Sequence, residues 1–348
     1  MMTMLTTAIV GCGGIGRSHA DIVLGIDRLQ ITALVNTSPG AAESLADIVE
    51  ERSGTRPAIF ASLDELLAVE KIDLVILATP SGLHAQQALA AIEAGSHVVI
   101  EKPIDVSIAA GKRVVEAAER TGRTVSVVSQ HRFDPSSEAV HAAIERGDFG
   151  RLTSAVMTAP LWRDQAYYDS GAWRGTWALD GGGVLVNQGV HTVDLMLWMM
   201  GRPDTVSAEF ALLAHEGIEA EDTAVATVLF ESGALGVIHA TTAAKGALKS
   251  RLQVHGSAGS AVIDGDQLVY SSPELVREEA GSSHEKQYRD VLAAIDTGNE
   301  PRVSATEALW ALATVRAVYV SATLRERIRV ADVIAGVYDH VEPRALAD

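Results

Sequence analysis

The chain has 348 residues, of which 47% are hydrophobic and 21% are charged, and its formal net charge is −17 at pH 7. This length suits two domains better than one. The apolar content is enough for two cores, and no segment has the composition of a disordered region. The acidic balance argues against nucleic acid or an anionic membrane as a partner, because both would be repelled by such a surface.

Cysteine usage and the N-terminus bear on the cellular compartment. Cys12 is the only cysteine, so no intramolecular disulfide can form and a reducing compartment is expected. No Lys or Arg precedes Arg17, which is unlike a secretory signal peptide. The longest apolar runs, near residues 72–78 and 195–200, are too short to cross a bilayer. We therefore expect a cytoplasmic protein.

A glycine-rich turn, GCGGIG, joins a predicted buried strand at residues 5–10 to a predicted helix at 17–26, and a second strand follows at 31–35. This is a βαβ unit of the size that binds dinucleotides. In that motif Gly11 suits the tight turn, Gly13 lets the backbone approach a pyrophosphate, and Gly16 lets helix and strand pack closely. The helix N-terminus offers free N–H groups to the phosphates. The turn predicts a site for NAD or NADP.

The end of the second strand departs from the usual pattern. An Asp or Glu is expected about 20 residues into the motif, where it binds the ribose hydroxyls. Here the position is Asn36, followed by Thr37 and Ser38. Asn can bind a ribose hydroxyl and would not repel a 2′-phosphate, but no Lys or Arg occurs between residues 31 and 51 to pair with that phosphate. The sequence leaves NAD and NADP open and slightly favours NAD.

Strands continue to alternate with helices, with further strands predicted at residues 73–78, 97–100 and 124–129. This alternation predicts a doubly wound parallel sheet, in which a ligand lies beyond the carboxyl ends of the strands. The candidate cofactor-binding residues in this half lie in the glycine-rich turn and at those strand ends. They are Gly11, Gly13, Gly14, Ile15, Gly16, Asn36, Thr37, Ser38, Thr79, Pro80, His84, Glu101, Lys102 and Gln130.

The pattern changes near residues 130–135, beyond which a helix is predicted at 136–146 and a strand at 151–158. A loop rich in aromatic and arginine residues follows. It contains Trp162, Arg163, Tyr167, Tyr168, Trp173, Arg174 and Trp177. Loops of this composition are typical of ligand binding. The alternative is a hydrophobic lid over the core or a subunit contact.

The remaining chain alternates short apolar strands with turn signals. Strands are predicted at residues 205–213, 223–230, 234–241, 250–255, 261–264 and 267–270, and closing helices at 285–295 and 305–324. They predict a largely antiparallel sheet. The fold class is therefore α/β: a Rossmann domain over residues 1–130, then an α+β domain over 131–348 with a large, mostly antiparallel open sheet.

The central element of the second half is the stretch 181–198, in which three glycines at 181–183 precede a predicted helix and let it begin abruptly. Its apolar stripe is Val186, Val190, Val193, Leu197 and Met200, and its polar stripe is Asn187, His191, Asp194 and Trp198. A polar stripe on so apolar a helix suggests the wall of a pocket. The alternative is a buried helix whose Asn and His are satisfied by neighbouring backbone.

Chemistry beside a nicotinamide should be hydride transfer, which needs a group to take or give the hydroxyl proton. The imidazole of His191 has a suitable ordinary pKa. Lys102, at a strand end, would lower the pKa of the hydroxyl or stabilise its developing negative charge. Asn187 would orient the imidazole or bind a substrate hydroxyl. No Cys, His and Asp residues have the spacing of a zinc site, so we expect no metal.

Several motifs together resemble the Gfo/Idh/MocA oxidoreductase family, over essentially the whole chain. They are GCGGIGRSHA, ATPSGLHAQQA, VVIEKPIDVS, SQHRFDP and WRGTWALDGGGVLVNQGVHTVDLMLW. The resemblance implies a Rossmann domain followed by an α/β domain whose open sheet often forms a homodimer or homotetramer. It also implies an NAD(P)-dependent reaction on a hydroxyl of a sugar, glycoside or cyclitol.

The resemblance implies roles for single residues. Lys102 of Glu-Lys-Pro looks like the active-site lysine, Pro103 like a frequent cis-proline, and His191 like the catalytic histidine. The family often has Asp four residues before that histidine, where this chain has Asn187. An amide cannot accept a proton, so the acid–base role falls on His191 and Lys102.

Trp162 and Arg163 look like the pair that reaches the nicotinamide end of the cofactor. The Asn-Gln-Gly-x-His sequence resembles members that act at C3 of pyranosides or nucleotide sugars. The side chains that we expect to bind the substrate hydroxyls are those of Asn187, Gln188, Arg163, Trp173 and Arg174. Two alternatives remain. One is a sugar sensor of the same fold that binds NAD(P) without turnover, although the presence of both Lys102 and His191 argues against it. The other is a reductase of an imine or enal.

Overall fold

The computed structural model describes residues 3–246, 248–276 and 281–343, and it divides into two compact units. The first unit is drawn from Met1–Asp105, Ala110–Val128 and His284–Thr306, and the second from Val106–Ala109, Ser129–Ser283 and Glu307–Asp348. The segment 284–306, which the sequence analysis assigned to the second domain, clusters with the first unit. Its buried Tyr288 and Val291 pack in the same apolar core as the strands of the first sheet, which explains the grouping.

The first unit contains a six-stranded parallel sheet in the order β3-β2-β1-β4-β5-β6. The strands are β1 (Leu5–Val10), β2 (Leu29–Val35), β3 (Ala58–Phe60), β4 (Leu74–Leu77), β5 (His97–Ile100) and β6 (Val125–Val127). The strand order reverses between β1 and β4, which is where such sheets bind dinucleotides. The predicted doubly wound sheet is confirmed; β3 was not predicted because three residues carry no readable period.

The second unit contains an eight-stranded sheet in the order β13-β12-β11-β7-β10-β9-β8-β14. Its strands are β7 (Leu152–Pro160), β8 (Pro203–Ala211), β9 (Thr223–Phe230), β10 (Leu235–Thr241), β11 (Arg251–Gly256), β12 (Ser260–Asp264), β13 (Gln267–Ser272) and β14 (Ile328–Arg329). Only the β7–β10 pair is parallel among the described pairs, so the predicted mostly antiparallel sheet is confirmed.

The helices follow the alternation read from the sequence. They are α1 (Gly14–Val23), α2 (Pro39–Ser53), α3 (Leu63–Val69), α4 (His84–Glu93), α5 (Ile108–Thr121), α6 (Pro135–Glu145), α7 (Gln165–Asp169), α8 (Val190–Met200), α9 (Ser283–Thr297), α10 (Ala305–Leu324) and α11 (Val330–Ile334). Short 3₁₀ turns occupy Ser81–Leu83 and Gln130–Phe133. No helix among residues 3–246, 248–276 and 281–343 is long and apolar enough to cross a membrane.

The central helix differs from the prediction at its start. The three glycines at 181–183 lie outside the helix, Leu185–Gly189 forms a π-helical turn, and α8 begins at Val190. The glycines therefore precede the helix, as the sequence indicates, and the departure from a regular α-helix is the π turn that follows them. The apolar stripe is nevertheless buried throughout, and Asn187, His191 and Trp198 of the polar stripe keep partial exposure. Within the second unit α8 packs on β7 and β11.

A buried carboxylate accounts for the irregular start. Glu221 is fully buried and accepts hydrogen bonds from the N–H groups of Gly183 (2.9 Å) and Leu185 (3.0 Å) and from the hydroxyl of Tyr319 (2.9 Å). A Cβ at Gly183 would lie 1.7 Å from the backbone oxygen of Glu221, so only glycine fits there. Burial raises the pKa of Glu221 to about 7, against the hydrogen bonds that lower it.

The raised pKa of Glu221 predicts a pH-dependent stability. A carboxyl whose pKa is higher in the folded state contributes stability that is present below its ordinary pKa of 4.5 and is lost as the pH rises through about 7. Between about pH 5 and pH 8 the free energy of unfolding should therefore fall by roughly 2.5 kcal/mol more in the wild type than in Glu221→Gln. Urea unfolding at both pH values measures this, with Glu209→Gln on the exposed side of β8 as the matched control. An equal change in the free energy of unfolding between the two pH values in all three proteins would contradict the raised pKa of Glu221.

Candidate active site

The glycine-rich turn of the first unit has the geometry of a pyrophosphate cradle. A Cβ at Gly16 would lie 1.8 Å from the backbone oxygen of Gly11, so the close contact of turn and helix requires glycine. At Gly13 and Gly14 a Cβ would meet nothing within 4 Å, which leaves open space beside the N-terminus of α1. No side chain caps that helix, its first turn has no acidic residue, and Ile15 is 54% exposed. These features fit a bound dinucleotide, with phosphates on the helix N-terminus.

Asn36 fixes that turn to the end of β2. Its Oδ1 accepts the backbone N–H of Cys12 at 3.0 Å, and its Nδ2 donates to the backbone oxygen of Ser38 at 2.8 Å. Thr37 and Ser38 are exposed. An Asp at this position could accept from Cys12 but could not donate to Ser38, so the amide suits this local geometry.

His84 joins the ends of β4 and β5. Its Nδ1 lies 2.8 Å from the backbone oxygen of Pro103, and its Nε2 lies 2.9 Å from that of Thr79. The side chain is buried, and burial lowers the pKa of its imidazole. The sequence suggested a cofactor contact for His84; in the structure both ring nitrogens face backbone oxygens, so the ring fixes two strand ends. The Lys102–Pro103 peptide bond is cis, as the family resemblance implies.

A chain of three side chains holds the residue before Lys102. The hydroxyl of Tyr288 lies 2.8 Å from Nδ1 of His19, and Nε2 of His19 lies 2.9 Å from Oε1 of Glu101. The other carboxylate oxygen accepts the backbone N–H of Lys102 at 3.0 Å. Burial holds the pKa of Tyr288 well above its usual range, so its neutral hydroxyl donates to His19, which in turn donates to Glu101.

No spacing signal in the sequence connects His19 with Tyr288. The contact joins α1 to α9 across 269 positions of the chain, so local patterns carry no trace of it. Its effect is to place the Glu101 carboxylate, and through it the backbone of Lys102, at the carboxyl end of β5.

In the second unit, Asn187 of the π turn is backed by a carboxylate. Its Nδ2 donates to Oδ1 and Oδ2 of Asp180 at 3.1 and 3.3 Å, and Oδ2 of Asp180 also accepts the N–H of Gly175 at 2.9 Å. Asp180 is buried. Because the amide nitrogen faces Asp180, the network turns the amide oxygen of Asn187 away from it. The carboxylate that family members often have at position 187 is thus replaced by an amide with a carboxylate behind it.

A second imidazole lies beside His191, which sequence reasoning missed. The rings of His131 and His191 meet edge to face, with centroids 5.5 Å apart. Nδ1 of His131 is 2.7 Å from Oδ2 of Asp134, and Nε2 faces the amide nitrogen of Gln130 at 3.4 Å. The network therefore assigns the proton to Nδ1, where it is donated to Asp134. The only sequence signal is the His and Asp of SQHRFDP, three residues apart.

The aromatic loop is joined to the π turn through Tyr167. Nε2 of Gln188 donates to the Tyr167 hydroxyl at 3.3 Å, and the guanidinium groups of Arg163 and Arg174 lie 4.9 and 4.2 Å from the Tyr167 ring centroid. Arg174 also lies 4.5 Å from the ring centroid of Trp173. All five predicted substrate-binding residues therefore belong to one connected set of elements in this unit, through Tyr167 and Asp180.

The loop itself is held firmly. Asp164 caps the unpredicted helix α7 by accepting the N–H of Tyr167 at 3.0 Å. The backbone oxygen of Arg163 is 2.9 Å from Nε2 of His215, whose Nδ1 is 3.0 Å from Asp222. The backbone hydrogen bonds to Asp222 help to lower its pKa, against desolvation that raises it. Trp162 lies 6.4 Å from His215 between ring centroids. These contacts make the loop an ordered surface.

Within residues 3–246, 248–276 and 281–343, no group of three or more His, Cys, Asp or Glu side chains is arranged to hold a metal ion. The geometry in the two units is therefore that of a dinucleotide cradle with a neighbouring Glu-Lys-Pro turn, and of a polar helix face with an aromatic, cationic loop. The first set of groups is suited to bind a dinucleotide, and the second to bind a polar organic molecule.

Comparison with known proteins agrees with this geometry. A model of an oxidoreductase family with an NAD-binding Rossmann fold matches residues 5–129, and a model of the GFO/IDH/MocA C-terminal domain matches residues 137–262. The WlbA dehydrogenase of Bordetella pertussis, solved in complex with NADH and UDP-GlcNAcA, is 34% identical in sequence. That similarity covers 94% of this chain and 99% of the WlbA chain, with a TM-score of 0.83.

Two further relatives are less similar in sequence than this WlbA dehydrogenase. A 4-carboxy-2-hydroxymuconate-6-semialdehyde dehydrogenase of Sphingobium is 29% identical over 307 residues, 87% of this chain and 94% of the relative. An inositol 2-dehydrogenase of Rhizobium meliloti is 26% identical over 339 residues, 93% of this chain and 98% of the relative. The chain belongs to the Gfo/Idh/MocA family and is an oxidoreductase built on an NAD-binding Rossmann domain.

Proposed function

We propose that this protein is an NAD-dependent dehydrogenase that oxidises a secondary hydroxyl of a sugar or sugar derivative, or reduces the corresponding ketone. The observation that carries the proposal is the helix face on which His191 follows Asn187 by one turn, with hydrogen-bonding side chains around both. The names of the relatives support the substrate class: WlbA was solved with UDP-GlcNAcA, and the Rhizobium relative is an inositol dehydrogenase.

The proposed roles follow from the chemistry of each group. The glycine-rich turn at residues 11–16 would hold NAD, which when bound would supply the hydride acceptor for the carbon that carries the hydroxyl. The imidazole of His191 takes the hydroxyl proton during oxidation and returns it during reduction. The ammonium of Lys102 donates a hydrogen bond to the same oxygen and stabilises negative charge there. The amide oxygen of Asn187 accepts a hydrogen bond, and it takes no proton because an amide is not a base.

The competing function is a sugar sensor that binds NAD without turnover. Such a protein would need the glycine-rich turn and the aromatic loop but neither Lys102 nor His191. This chain retains both, and the Tyr288–His19–Glu101 chain of hydrogen bonds fixes the backbone of Lys102. That support would serve no purpose in a sensor, so we favour the enzyme.

The cofactor is proposed to be NAD. The support is the stretch after β2, where Asn36 is occupied by the turn and Thr37 and Ser38 are exposed and uncharged. A 2′-phosphate carries about two negative charges at neutral pH and is normally held by Arg. None occurs between residues 31 and 51.

The outer face of the second sheet is proposed to bind a second copy of the chain. Val225, Leu235 and Val237 are 48%, 60% and 38% exposed, and they lie on neighbouring strands β9 and β10 at the centre of the sheet. In the pairing register Val237 lies opposite Thr227 on one side and Val156 on the other, so the apolar surface extends across three strands. A flat apolar sheet face of this kind is typical of symmetric homodimers.

Lys102→Ala and His191→Ala should each lower kcat by at least about a hundredfold, because each removes a group that acts only on the reacting hydroxyl. NADH affinity should stay within about threefold of wild type. Nicotinamide absorbance with a panel of sugars, inositols and UDP-sugars measures turnover, and NADH fluorescence measures binding. Lys112→Ala on the exposed side of α5 is the control. Loss of NADH binding together with turnover would refute these roles.

The preference for NAD over NADP in kcat/KM should be at least about tenfold, and Thr37→Arg should reduce it by about tenfold by supplying a charge-assisted hydrogen bond. Thr55→Arg, on an exposed turn after α2, adds the same charge elsewhere and should leave the preference unchanged. A wild-type enzyme that prefers NADP would overturn this proposal and leave the reaction type standing.

Val237→Glu should shift the assembly towards monomer in size-exclusion chromatography with light scattering, because it would bury a charge in an apolar contact. Val69→Glu, at an exposed valine (70%) at the end of α3, serves as control and should leave the mass unchanged. A monomeric wild type, or an unchanged mass for Val237→Glu, would show that another surface or none forms the assembly.

A further inference from the structure

Three cations surround the aromatic loop of the second unit without an acidic partner. Arg163 and Arg174 stack on Tyr167, and the ammonium of Lys245 lies 5.9 Å from the ring centroid of Trp162. Across residues 3–246, 248–276 and 281–343, none of the three forms an ion pair with Asp or Glu. The chain has 45 acidic and 28 basic residues, and Asp164 and Asp169 lie in this loop. Carboxylates are therefore at hand, and the lack of an ion pair at these three described side chains points to a cationic surface kept open for a ligand.

The Tyr167 ring holds the two guanidinium groups. Their carbons lie 4.9 and 4.2 Å from the ring centroid, and a cation held by the π-system of a ring keeps N–H donors for further partners. Arg163 gives one donor to the backbone oxygen of Trp162, and Arg174 gives its Nε–H to Ser170. The Nε of Arg163 is buried and has no acceptor among the described residues. Planar forks of this kind match the oxygens of a carboxylate or phosphate.

The cationic surface is tied to the segment that carries the candidate proton-transfer group. Gln188 donates to the hydroxyl of Tyr167, and it lies in the π turn that leads directly into α8 and His191. The Oε1 of Gln188 is also buried without a donor in the described part of the chain. A ligand held by the two arginines would therefore lie on the same framework as His191, which favours part of the substrate over a distant effector.

We propose that Arg163 and Arg174, stacked on Tyr167, form an anion subsite that binds a carboxylate or phosphate group of the sugar substrate. Lys245 adds long-range attraction for the same charge. This inference rests on the proposed function and narrows it: the preferred substrate is an acidic sugar, either a hexuronate or a nucleotide-linked sugar. Neutral sugars and cyclitols would react more slowly, since they cannot satisfy these donors.

The test compares four substrates with NAD: glucose, glucuronate, UDP-N-acetylglucosamine and UDP-glucuronate. For Arg174→Gln, the ratio of kcat/KM for the anionic substrate to that for glucose should fall at least about tenfold, the effect expected for a lost hydrogen bond to a charged group. Arg163→Gln should act in the same direction, and Arg163→Lys, which keeps the charge without the planar fork, should restore only part of the ratio. Arg151→Gln, at the other end of β7, is the control and should leave the ratio unchanged.

The pattern across substrates identifies the anion. A carboxylate site affects glucuronate and UDP-glucuronate and spares UDP-N-acetylglucosamine, whereas a phosphate site affects both UDP-sugars and spares glucuronate. Calorimetric titration with UDP and with glucuronate measures binding and needs no turnover. If the protein shows no activity but binds UDP or glucuronate, and Arg174→Gln loses that binding, the proposed function is refuted and the anion subsite stands. The proposed subsite is overturned if the protein binds neither UDP nor glucuronate. It is also overturned if Arg174→Gln lowers kcat/KM equally for neutral and anionic substrates.

Discussion

The arrangement of the second unit depends on one buried ion pair. Arg132 is 1% exposed, and its Nε and Nη2 donate to Oδ2 and Oδ1 of Asp194 at 2.7 and 2.6 Å, while Ser129 donates to the same carboxylate. Leaving either charge buried without its partner would cost several kcal/mol, so the pair holds only if both elements stay in register. One element is the 3₁₀ turn that carries His131, and the other is α8 with His191. The ion pair therefore fixes the edge-to-face contact of the two imidazoles, since each histidine lies within one turn of a member of the pair.

Buried or largely buried carboxylates lie behind polar groups in each of the two units. Asp180 backs Asn187, Asp134 backs His131, and Glu101 accepts from His19 and from the backbone of Lys102. Each carboxylate receives at least one hydrogen bond from a donor that is itself fixed, so its position costs no reorganisation when a ligand binds. The polar side chains in front of these carboxylates are oriented before substrate arrives. The net charge of −17 is partly explained in this way, because acidic groups serve inside the protein as well as on its surface.

The sequence predicted most of the fold because its strands and helices have strong local periods. It also predicted the glycine-rich turn, the Glu-Lys-Pro turn and the polar stripe of α8. It did not predict the π turn at Leu185–Gly189, because over five residues an apolar pattern cannot separate about 3.6 from about 4.4 residues per turn. It missed the contact of His131 with His191 and that of His19 with Tyr288, which join residues far apart in the chain. Local patterns therefore identify the elements that bear functional residues, and tertiary contacts decide which partners those residues have.

The change from Asp to Asn at position 187 is consistent with the rest of this arrangement. A carboxylate there would face Asp180 across the distance now spanned by hydrogen bonds of 3.1 and 3.3 Å, and two charges so close would force one of them to bind a proton. The amide removes that repulsion and donates to Asp180, so a second ionisable group beside His191 is lost and a fixed hydrogen-bond acceptor is gained. In the proposed reaction, proton transfer then falls to the His191 imidazole, whose ring meets that of His131, itself held by Asp134. In the proposed reaction the amide at position 187 thus separates the two tasks that one Asp would combine: Asn187 positions the substrate, and His191 handles the proton.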